Sequence, residues 1–406
     1  MSVKPISVAT GSPFHAMYQY LQIVKKIWPL LLGHFTNDYY ANSLPALIPI
    51  VLIKFDLSLG MVGLLASSFL TIGSFAQLLF GMISDRFSRF NFTLIGMGIT
   101  GISFSLAGLA PSYWMLIIAV GIAGVGSAMF HPKATAETGA LTPNQRGLTI
   151  ALFIACGTAG FSLGPVAAAL IYDTLGLEGG SFLMLAAILL VLVFLVRTIP
   201  SGKQNLAISK HMSWFSALKV LMIPWLVVVF RHAVYLSFMT YTIILLKERG
   251  ISYLSSSLGL SIFLLSGVLG IMAGGPLSDR FGRRPVVVLS LLIALPNLLV
   301  FLHTEGVISF VCLIIGGFCL IMNNPVVVAY AQEKLPDHGG TASAITMGFG
   351  WGIGALMLSP IGILADYWGI VNALDLVISL LVIAIALSFL LHPQHDRPKV
   401  FVSESI

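Results

Sequence analysis

Long apolar stretches separated by short polar connections run along almost the whole chain of 406 residues. Each stretch has about the length that an α-helix needs to cross the hydrocarbon of a bilayer, and the longer ones leave room for tilt. The pattern predicts an all-α integral membrane protein with twelve transmembrane helices. We number them as spans one to twelve, over residues 27–53, 60–83, 92–110, 113–140, 147–172, 181–199, 220–246, 254–278, 285–303, 307–332, 340–365 and 370–391.

The one long polar connection, residues 200–219, falls between spans six and seven. We therefore expect a six-helix bundle at 1–199, a cytoplasmic linker at 200–219, and a second bundle at 220–406 that ends in a short cytoplasmic tail. The first 20 residues lack the charged, apolar and cleavage regions of a signal peptide, so we expect no removable leader.

The amino-acid composition indicates that the chain is solvated by lipid. Charged residues make up 9% of the chain and hydrophobic residues 57%, with a mean hydropathy of +0.98. Such a chain cannot present a polar exterior to water. No segment is large enough for a separate soluble catalytic domain, and neither a His-Glu-x-x-His string nor a clustered Cys/His pattern occurs. We expect no enzyme, no metal and no cofactor.

Positive charge is distributed unevenly across the predicted membrane. If both termini are cytoplasmic, 17 of the 21 Lys and Arg residues lie on the inner side, whereas Lys54, Lys247 and Arg249 lie outside and Arg231 lies within the membrane. The positive-inside rule therefore predicts a multi-pass protein of the cell membrane with both termini in the cytoplasm. The net charge of +6 reflects this topology and does not indicate nucleic-acid binding.

The sequence also repeats itself over a long period. Residues 193 positions apart match in five places, which pair Lys26, Asp38, Lys54, Asp173 and Gly176 with Lys219, Arg231, Lys247, Asp366 and Gly369. Matching charges fall on the same side of the membrane, so the two halves are parallel pseudo-symmetric bundles. A duplicated apolar chain is typical of transporters whose binding site lies where the repeats meet. We expect Asp173 and Asp366 to lie at the membrane interface.

A nine-residue loop returns in both halves at a shift of 194. Residues 81–89, GMISDRFSR, reappear as 275–283, GPLSDRFGR, each on the predicted cytoplasmic side. This string resembles the loop motif of the major facilitator superfamily, although Ser88 stands where that family usually has the glycine that Gly282 retains. The resemblance covers the whole chain and implies that the loops form a conformational latch. It assigns gating roles to eight residues: Gly81, Asp85, Arg86, Arg89, Gly275, Asp279, Arg280 and Arg283. A plain basic loop that sets topology is the alternative.

A glycine motif in span five narrows the class. Gly157, Gly160, Gly164 and Pro165 resemble the Gly-x-x-x-Gly-Pro motif of the proton-coupled drug antiporter branches. Independently of that resemblance, glycines at helical spacing give a smooth face for close helix packing, and the proline gives a bend. The motif thus favours export, with a packing face common to any transporter as the alternative.

Two shorter strings resemble the fosmidomycin-resistance subfamily of exporters. They are HFTND at residues 34–38 in span one and FHP at 130–132 in span four. The resemblance implies a proton-driven pump for small drug-like or phosphonate compounds. The arginine that drug antiporters usually carry in span four is missing from residues 120–126, VGIAGVG, so no proton relay built on it is expected here.

Ionisable groups within the membrane mark a pathway, because their burial is costly. Asp38 lies twelve residues past Lys26, about 18 Å up the helix and near the bilayer midplane, and Arg231 lies at the same depth in the other half. We expect these two to face one central cavity, where each lowers the cost of burying the other. His34 shares the face of Asp38, so the proton-coupling group is Asp38, His34 and Arg231.

The remaining polar residues complete the predicted cavity. They lie on spans one, four, seven and ten, which line the cavity if the resemblance holds: Asn37, His131, His232, Tyr235, Asn323 and Asn324. Two alternatives stay open. Asp38 and Arg231 could form a static structural lock, and His131 could stabilise the kink at Pro132.

The sequence thus predicts a secondary active transporter that exports a small anionic, zwitterionic or drug-like solute by proton antiport with alternating access. It would act as a monomer with the solute, protons and lipid as its partners. A proton-coupled symporter, or a facilitator importing a small metabolite, would use the same residues. A membrane sensor that binds ligand and transports nothing is the alternative from another class.

Overall fold

The computed structural model describes residues 13–86, 90–141, 146–198 and 213–392, and every regular element in those residues is a helix. The α-helices are α1 Pro13–Ala41, α2 Leu44–Lys54, α3 Leu59–Arg86, α4 Phe92–Ala107, α5 Tyr113–Leu141, α6 Arg146–Leu195, α7 Trp214–Val220, α8 Met222–Glu248, α9 Tyr253–Phe281, α10 Arg283–His303, α11 Gly306–Met322, α12 Asn324–Lys334, α13 Gly339–Ser343, α14 Gly350–Leu356, α15 Leu358–Trp368 and α16 Ile370–Ser388. A 3-10 turn, Pro336–His338, precedes α13, and a π-helix, Ala344–Phe349, follows it.

Several predicted spans are built from more than one helix. Span one consists of α1 and α2, which restart around Pro45, and span ten consists of α11 and α12, which restart at Asn324 just before Pro325. A proline has no amide hydrogen to donate, so it fits the first turn of a new helix. Both breaks therefore lie where the sequence cannot continue one regular helix.

The opposite occurs in α6, where two predicted spans are joined. This element runs for 50 residues, but Gly176 has a φ of 70° and a ψ of 176°, so the chain turns there. Glycine adopts this backbone conformation without steric cost. By length and composition, nine helices of the described residues can cross a membrane. The second crossing of α6, the shorter α4 and the α1–α2 pair bring the crossings to the predicted twelve.

The last part of the predicted linker is helical. Residues 214–220 form α7, and Ala217 of this helix and the following Leu221 are fully buried in a small apolar cluster with Ala331 and Ile345. These residues thus belong with the second bundle, because the segment following Ser213 carries an apolar face that the charge pattern did not reveal. Residues 199–212 of the linker and the tail 393–406 lie outside the described residues.

We call α1–α6 the N half and α7–α16 the C half. They pack together along two seams, α3 against α14 and α15, and α6 against α9. Away from the seams, large apolar side chains such as Leu190 and Val193 of α6 are about 70% exposed, as expected for a surface covered by lipid.

One end of the first seam is tightly closed. Asp366 near the end of α15 accepts hydrogen bonds from the amides of Leu59 (2.7 Å) and Gly60 (2.9 Å) at the start of α3. These amides have no partner within their own helix, and the positive end of a helix dipole favours a carboxylate. Tyr241 of α8 reaches the same place and donates to the carbonyl of Leu358 at 2.8 Å. We call this end of the molecule the Asp366 face.

Two glycines let the backbones meet at this face. A Cβ atom on Gly63 would lie 2.3 Å from the carbonyl oxygen of Leu358, and one on Gly362 would lie 2.1 Å from that of Leu59. Further along the seam the contact is made by side chains, as Phe75 meets Phe349 edge to face at 5.9 Å. The two backbone contacts at Gly63 and Gly362 hold α3 and α15 close together at the Asp366 face.

Candidate functional site

The N half holds a compact cluster of one carboxylate between two histidines. Asp38 Oδ2 lies 3.2 Å from His34 Nε2, and Asp38 Oδ1 lies 3.2 Å from His131 Nε2. His34 and Asp38 are one turn apart on α1, so they share a face, whereas His131 comes from α5 beside Pro132. The His131 side chain is 29% exposed and that of Asp38 14%, so the cluster is reached from the His131 side.

Each histidine is anchored through its other ring nitrogen. His34 Nδ1 lies 2.8 Å from the carbonyl oxygen of Phe153, and His131 Nδ1 lies 2.8 Å from that of Ser127. The ring of His34 also stacks on the ring of Phe153, with centroids 4.0 Å apart. These contacts fix both rings so that their Nε2 atoms face the carboxylate.

The predicted glycine motif of α6 is what lets α1 come this close. A Cβ atom on Gly157 would lie 2.3 Å from the ring of His34, and one on Gly160 would lie 2.1 Å from the carbonyl oxygen of Phe35. Gly164 meets the carbonyl oxygens of Tyr39 and Asn42 in the same way, at about 3 Å. Past Pro165, the amide of Val166 donates to Ser261 Oγ of the C half at 3.2 Å. The motif therefore packs against the helix that carries the cluster.

Asn37 adds a neutral donor next to Asp38. Its Nδ2 donates to Asp38 Oδ1 at 3.0 Å and approaches Ser127 Oγ at 3.3 Å. The Oδ1 atom of Asn37 has no hydrogen-bond partner among the described residues, although the residue is 1% exposed. An unsatisfied buried acceptor is costly, which makes it a place for a ligand donor.

The C half holds a fully buried arginine at the position that repeats Asp38. Arg231 Nη2 donates to Asn324 Oδ1 at 3.0 Å and lies 3.4 Å from the ring nitrogens of His232. Its Nε and Nη1 atoms have no hydrogen-bond partner among the described residues. Tyr235 and Trp351 pack edge to face beside it, and Trp351 also lies over the ring of His232 at 4.6 Å.

Asp38 and Arg231, which are expected to face one cavity, do not pair with each other in this conformation. Among the described residues these two form no ion pair, because each finds a partner within its own half. Asp38 contacts His34 and His131, while Arg231 donates a hydrogen bond to Asn324. A static lock between the two charges is therefore also absent here.

Asn323, which is predicted to line the cavity, bonds to a neighbouring helix in this conformation. It is fully buried and its Nδ2 donates to Ser290 Oγ of α10 at 2.9 Å, so the side chain points to the neighbouring helix. Asn323 and Asn324 diverge because α11 ends and α12 begins between them. Asn324 alone of the pair contacts Arg231.

The second repeated loop forms its bridges inside the C half. Arg283 Nη1 lies 2.6 Å from Asp279 Oδ1, and its Nη2 lies 3.1 Å from Glu333 Oε1. Arg280 lies over the ring of Phe281, and the space around Gly275 is open. The two bridges of Arg283 lie within the C half, and the latch across the halves stays a prediction.

The first repeated loop can be placed only in part. Gly81, Asp85 and Arg86 lie in the last turns of α3, and their side chains are outside what the structure describes, as is the whole of Arg89.

A small, largely apolar pocket lies between the halves, towards the Asp366 face from Asp38. Its lining comes from α1, α2, α3, α6 and α8: Ala41, Asn42, Leu44, Pro45, Ile48, Ala66, Phe69, Leu70, Phe161, Met239 and Thr240.

Comparisons with known proteins agree with this architecture. The family model described as Major Facilitator Superfamily matches residues 30–355 and 233–404. The chain belongs to the major facilitator superfamily. It is therefore a multi-pass membrane transporter, and the twelve-span fold predicted from hydropathy is confirmed.

Two relatives from this superfamily match nearly end to end. The chain is 28% identical over 366 residues to the fosmidomycin resistance protein of Escherichia coli (strain K12), covering 84% of this chain and 86% of the relative. It is 30% identical over 390 residues to the uncharacterised MFS-type transporter YfnC of Bacillus subtilis (strain 168), covering 90% and 93%. The predicted resemblance to the fosmidomycin-resistance branch is confirmed at this level.

A solved structure supports the fold. A bacterial homologue of the human lysosomal transporter Spinster, inward-facing and unoccupied, superimposes with a TM-score of 0.71 at 18% identity, covering 94% of this chain and 97% of that one.

Sequence reasoning missed the groups that orient the histidines. The acceptors are backbone carbonyls, that of Phe153 on α6 for His34 and that of Ser127, one turn earlier on α5, for His131, and a backbone carbonyl leaves no trace in residue type. It placed His34 beside Asp38 but did not bring His131 to the same carboxylate: the polar side-chain atoms of the three residues lie within 4.8 Å of one another. Two imidazoles and a carboxylate at that spacing suit either protons or a divalent cation.

Proposed function

We propose that this transporter exports a small solute carrying an anionic group, in exchange for protons that enter the cell. The observation that carries the proposal is the pair of polar groups at repeat-related positions. The N half has a protonatable cluster around Asp38, and the C half has a buried guanidinium, that of Arg231, without an acidic partner among the described residues.

Arg231 is proposed to bind the anionic group of the solute. A buried cation is costly unless it is paired and its hydrogen bonds are satisfied, and here Nε and Nη1 have no partner among the described residues. A carboxylate or phosphonate fits the fork of a guanidinium with two parallel hydrogen bonds. The adjacent aromatic rings of Tyr235 and Trp351 would contact the rest of a small molecule.

Asp38 is proposed to couple solute binding to protons. Its two carboxylate oxygens are occupied by His34 and His131, so a donor group of the solute can bind Asp38 only after a histidine releases it. Solute and protons would then compete for one carboxylate. Competition of this kind makes the two move in opposite directions, because each empties the site for the other.

The closed Asp366 face supports alternating access. With the orientation expected from the positive-inside rule, this face is the outer one, and the cluster in this conformation would be reached from the cytoplasm. Export begins in such a state, with solute binding from inside. The name of the Escherichia coli relative, a fosmidomycin resistance protein, also supports the export direction.

Proton flux in inverted membrane vesicles tests the proposal. Vesicles with an acidified lumen would receive phosphonates, sugar phosphates, organic acids and cationic drugs in turn, while a dye reports lumenal pH. We expect an anionic compound to release lumenal protons in the wild type and not in Asp38→Asn. Asp375→Asn is the matched control, since Asp375 pairs with His303 far from the cluster, and it should behave as wild type.

The rival functions give different results in the same assay. A symporter would carry protons with the solute, so the lumen would become more acidic. A facilitator would accumulate labelled compound only down its gradient, without a proton signal, and a sensor would bind compound and move none. Uphill transport retained in Asp38→Asn would overturn the role of Asp38.

A further inference from the structure

We infer that the cluster of His34, Asp38 and His131 binds two exchangeable protons, one at each histidine Nε2. It follows that each exported solute is exchanged for two protons. Only this exchange ratio rests on the proposed antiport; the proton count of the cluster does not. The inference starts from the hydrogen positions that the contacts of the cluster require.

The Nδ1 atoms of both histidines must carry hydrogens. Each lies 2.8 Å from a backbone carbonyl oxygen, that of Phe153 for His34 and that of Ser127 for His131. A carbonyl oxygen can only accept a hydrogen bond, so the ring nitrogen has to be the donor. The tautomer of each neutral ring is thereby fixed, and Nε2 is the nitrogen that gains or loses a proton.

Both Nε2 atoms then face an oxygen of Asp38 at 3.2 Å. In the fully deprotonated cluster each contact would bring the lone pair of a neutral imidazole against a carboxylate oxygen, which is repulsive. A hydrogen between the two atoms turns each contact into a charge-assisted hydrogen bond. Because the two contacts use different oxygens, two hydrogens are needed, and the observed geometry is that of the doubly protonated cluster.

Two protons change the net charge of the cluster from −1 to +1. With both histidines protonated, a single carboxylate stands between two imidazolium rings. With both neutral, Asp38 keeps its negative charge and loses two of its hydrogen bonds, retaining that from Asn37 Nδ2. The carboxylate is then free to bind a donor group of the solute, which is the state that proton release prepares.

The surroundings contain few charges that could substitute for these protons. On α5 the next ionisable groups are Lys133 and Glu137, which are buried and lie 3.8 Å from each other. The helix α4 has no ionisable side chain, and α6 has no acidic or basic residue between Arg146 and Asp173. In the C half, Arg231 and His232 lie together with Asn324. The histidines are thus the partners of Asp38.

The number of protons decides how strongly the transporter can concentrate its solute. For an uncharged solute without a membrane potential, a tenfold proton gradient sustains about a hundredfold solute gradient with two protons and about a tenfold one with a single proton. A cluster that binds two protons would therefore let the transporter maintain a larger concentration gradient of its solute.

Nitrogen-15 NMR of histidine-labelled protein in lipid tests the proton count without any solute. Between high and low pH, we expect the Nε2 signals of His34 and His131 to pass from neutral to imidazolium values while Nδ1 stays protonated. The signals are assigned with His34→Gln and His131→Asn, and both transitions should change in Asp38→Asn, which removes the carboxylate that both rings contact. His303, which pairs with Asp375 at 2.9 Å, is the internal control, and its signals should be the same in Asp38→Asn as in the wild type.

The outcomes separate the proposals. Titration of one histidine only, or a neutral ring with hydrogen on Nε2, would overturn the two-proton cluster whatever the transport assays give. Metal-like Nε2 shifts that chelator removes would overturn it too, in favour of a cation site. If both histidines titrate but vesicles show no antiport, the cluster stands and the proposed function fails. If antiport occurs, the solute gradient at zero net flux should vary with the square of the proton gradient.

Discussion

Arg231 donates to Asn324 at 3.0 Å, and these two residues occupy the positions that Asp38 and His131 hold 193 residues earlier, where the contact is 3.2 Å. The duplication has thus preserved a polar contact between the first and fourth spans of each half while changing its chemistry. The N half has a pair that exchanges protons. The C half has a guanidinium that stays charged at any physiological pH, bound by a neutral amide.

This division predicts that charge alone is not enough at position 231. Arg231→Lys keeps the positive charge but loses the planar fork, so two hydrogen bonds to an anionic solute become one. We expect the apparent KM for the solute to rise roughly ten- to hundredfold, about 1.5 to 3 kcal/mol, with a small change in maximal rate. Uptake of labelled solute into inverted vesicles at several concentrations measures this. Arg249→Lys, outside the cluster at the Asp366 face, should leave KM unchanged, and an unchanged KM in Arg231→Lys would contradict anion binding there.

The close contact between Gly157 and His34 predicts that a substitution at Gly157 alters the proton coupling of transport. In Gly157→Ala the new methyl group would lie 2.3 Å from the His34 ring, so the ring must leave Asp38 or α1 must move away from α6. Overpacking of this kind costs about 1–3 kcal/mol. We expect the transport rate to fall and its dependence on proton concentration to become shallower, from second order towards first.

The matched control for this change is Gly179→Ala on the same helix. A Cβ atom there would lie 3.4 Å from its nearest neighbour, which is ordinary contact, so transport should be unaffected. A pH profile of Gly157→Ala that coincides with the wild type would show that the position of His34 does not matter for coupling.

How much of the structure can be predicted from the sequence depends on the kind of contact. Spans and repeat are visible because hydropathy and charge act along the chain, and the glycine motif was recognised because small residues at helical spacing can only serve close approach. The contact partners of the buried polar side chains were harder to predict. Asp38 was assigned to Arg231 by symmetry of depth, but a residue one turn away and another on α5 were nearer. Which side chains meet depends on how helices rotate, and hydropathy does not record that rotation.

Asp366 shows the same limit. It was expected to be an interfacial residue like Asp173, and nothing in its local sequence distinguishes the two. In the structure it accepts two hydrogen bonds from the first turn of a helix more than 300 positions away. A bond to backbone amides of the other half depends on tertiary arrangement alone.

Gly63 predicts how the closed face can be opened. In Gly63→Ala the methyl group would lie 2.3 Å from the carbonyl oxygen of Leu358, and backbone on both sides leaves nothing flexible to move. We expect α3 and α15 to separate, which favours the conformation open at the Asp366 face. In a protein with Cys156, Cys312 and Cys319 replaced by serine, Thr240→Cys in the pocket reports access to thiol reagents from each side.

Labelling of this cysteine from the Asp366 face should become at least several-fold faster in Gly63→Ala, with transport lost because the cycle cannot close. Gly73→Ala lies on the same helix, ten residues on, with its nearest neighbour at 3.4 Å, and should label like the wild type. Equal labelling of Gly63→Ala and the wild type would mean that the close approach of α3 and α15 does not control access.

Asp366 itself predicts a milder form of the same change. Asp366→Asn keeps one acceptor oxygen for Leu59 or Gly60 but removes the charge that the start of α3 favours, a loss of about 1 kcal/mol. That energy shifts a two-state equilibrium roughly fivefold towards the conformation open at this face. We expect labelling at Thr240→Cys to increase by about that factor while the protein still transports. Asp173→Asn is the matched control, since Asp173 holds the repeat-related position but is exposed, and its labelling should not change. A decrease in labelling, or the same increase in both variants, would mean that the carboxylate of Asp366 does not hold this gate shut.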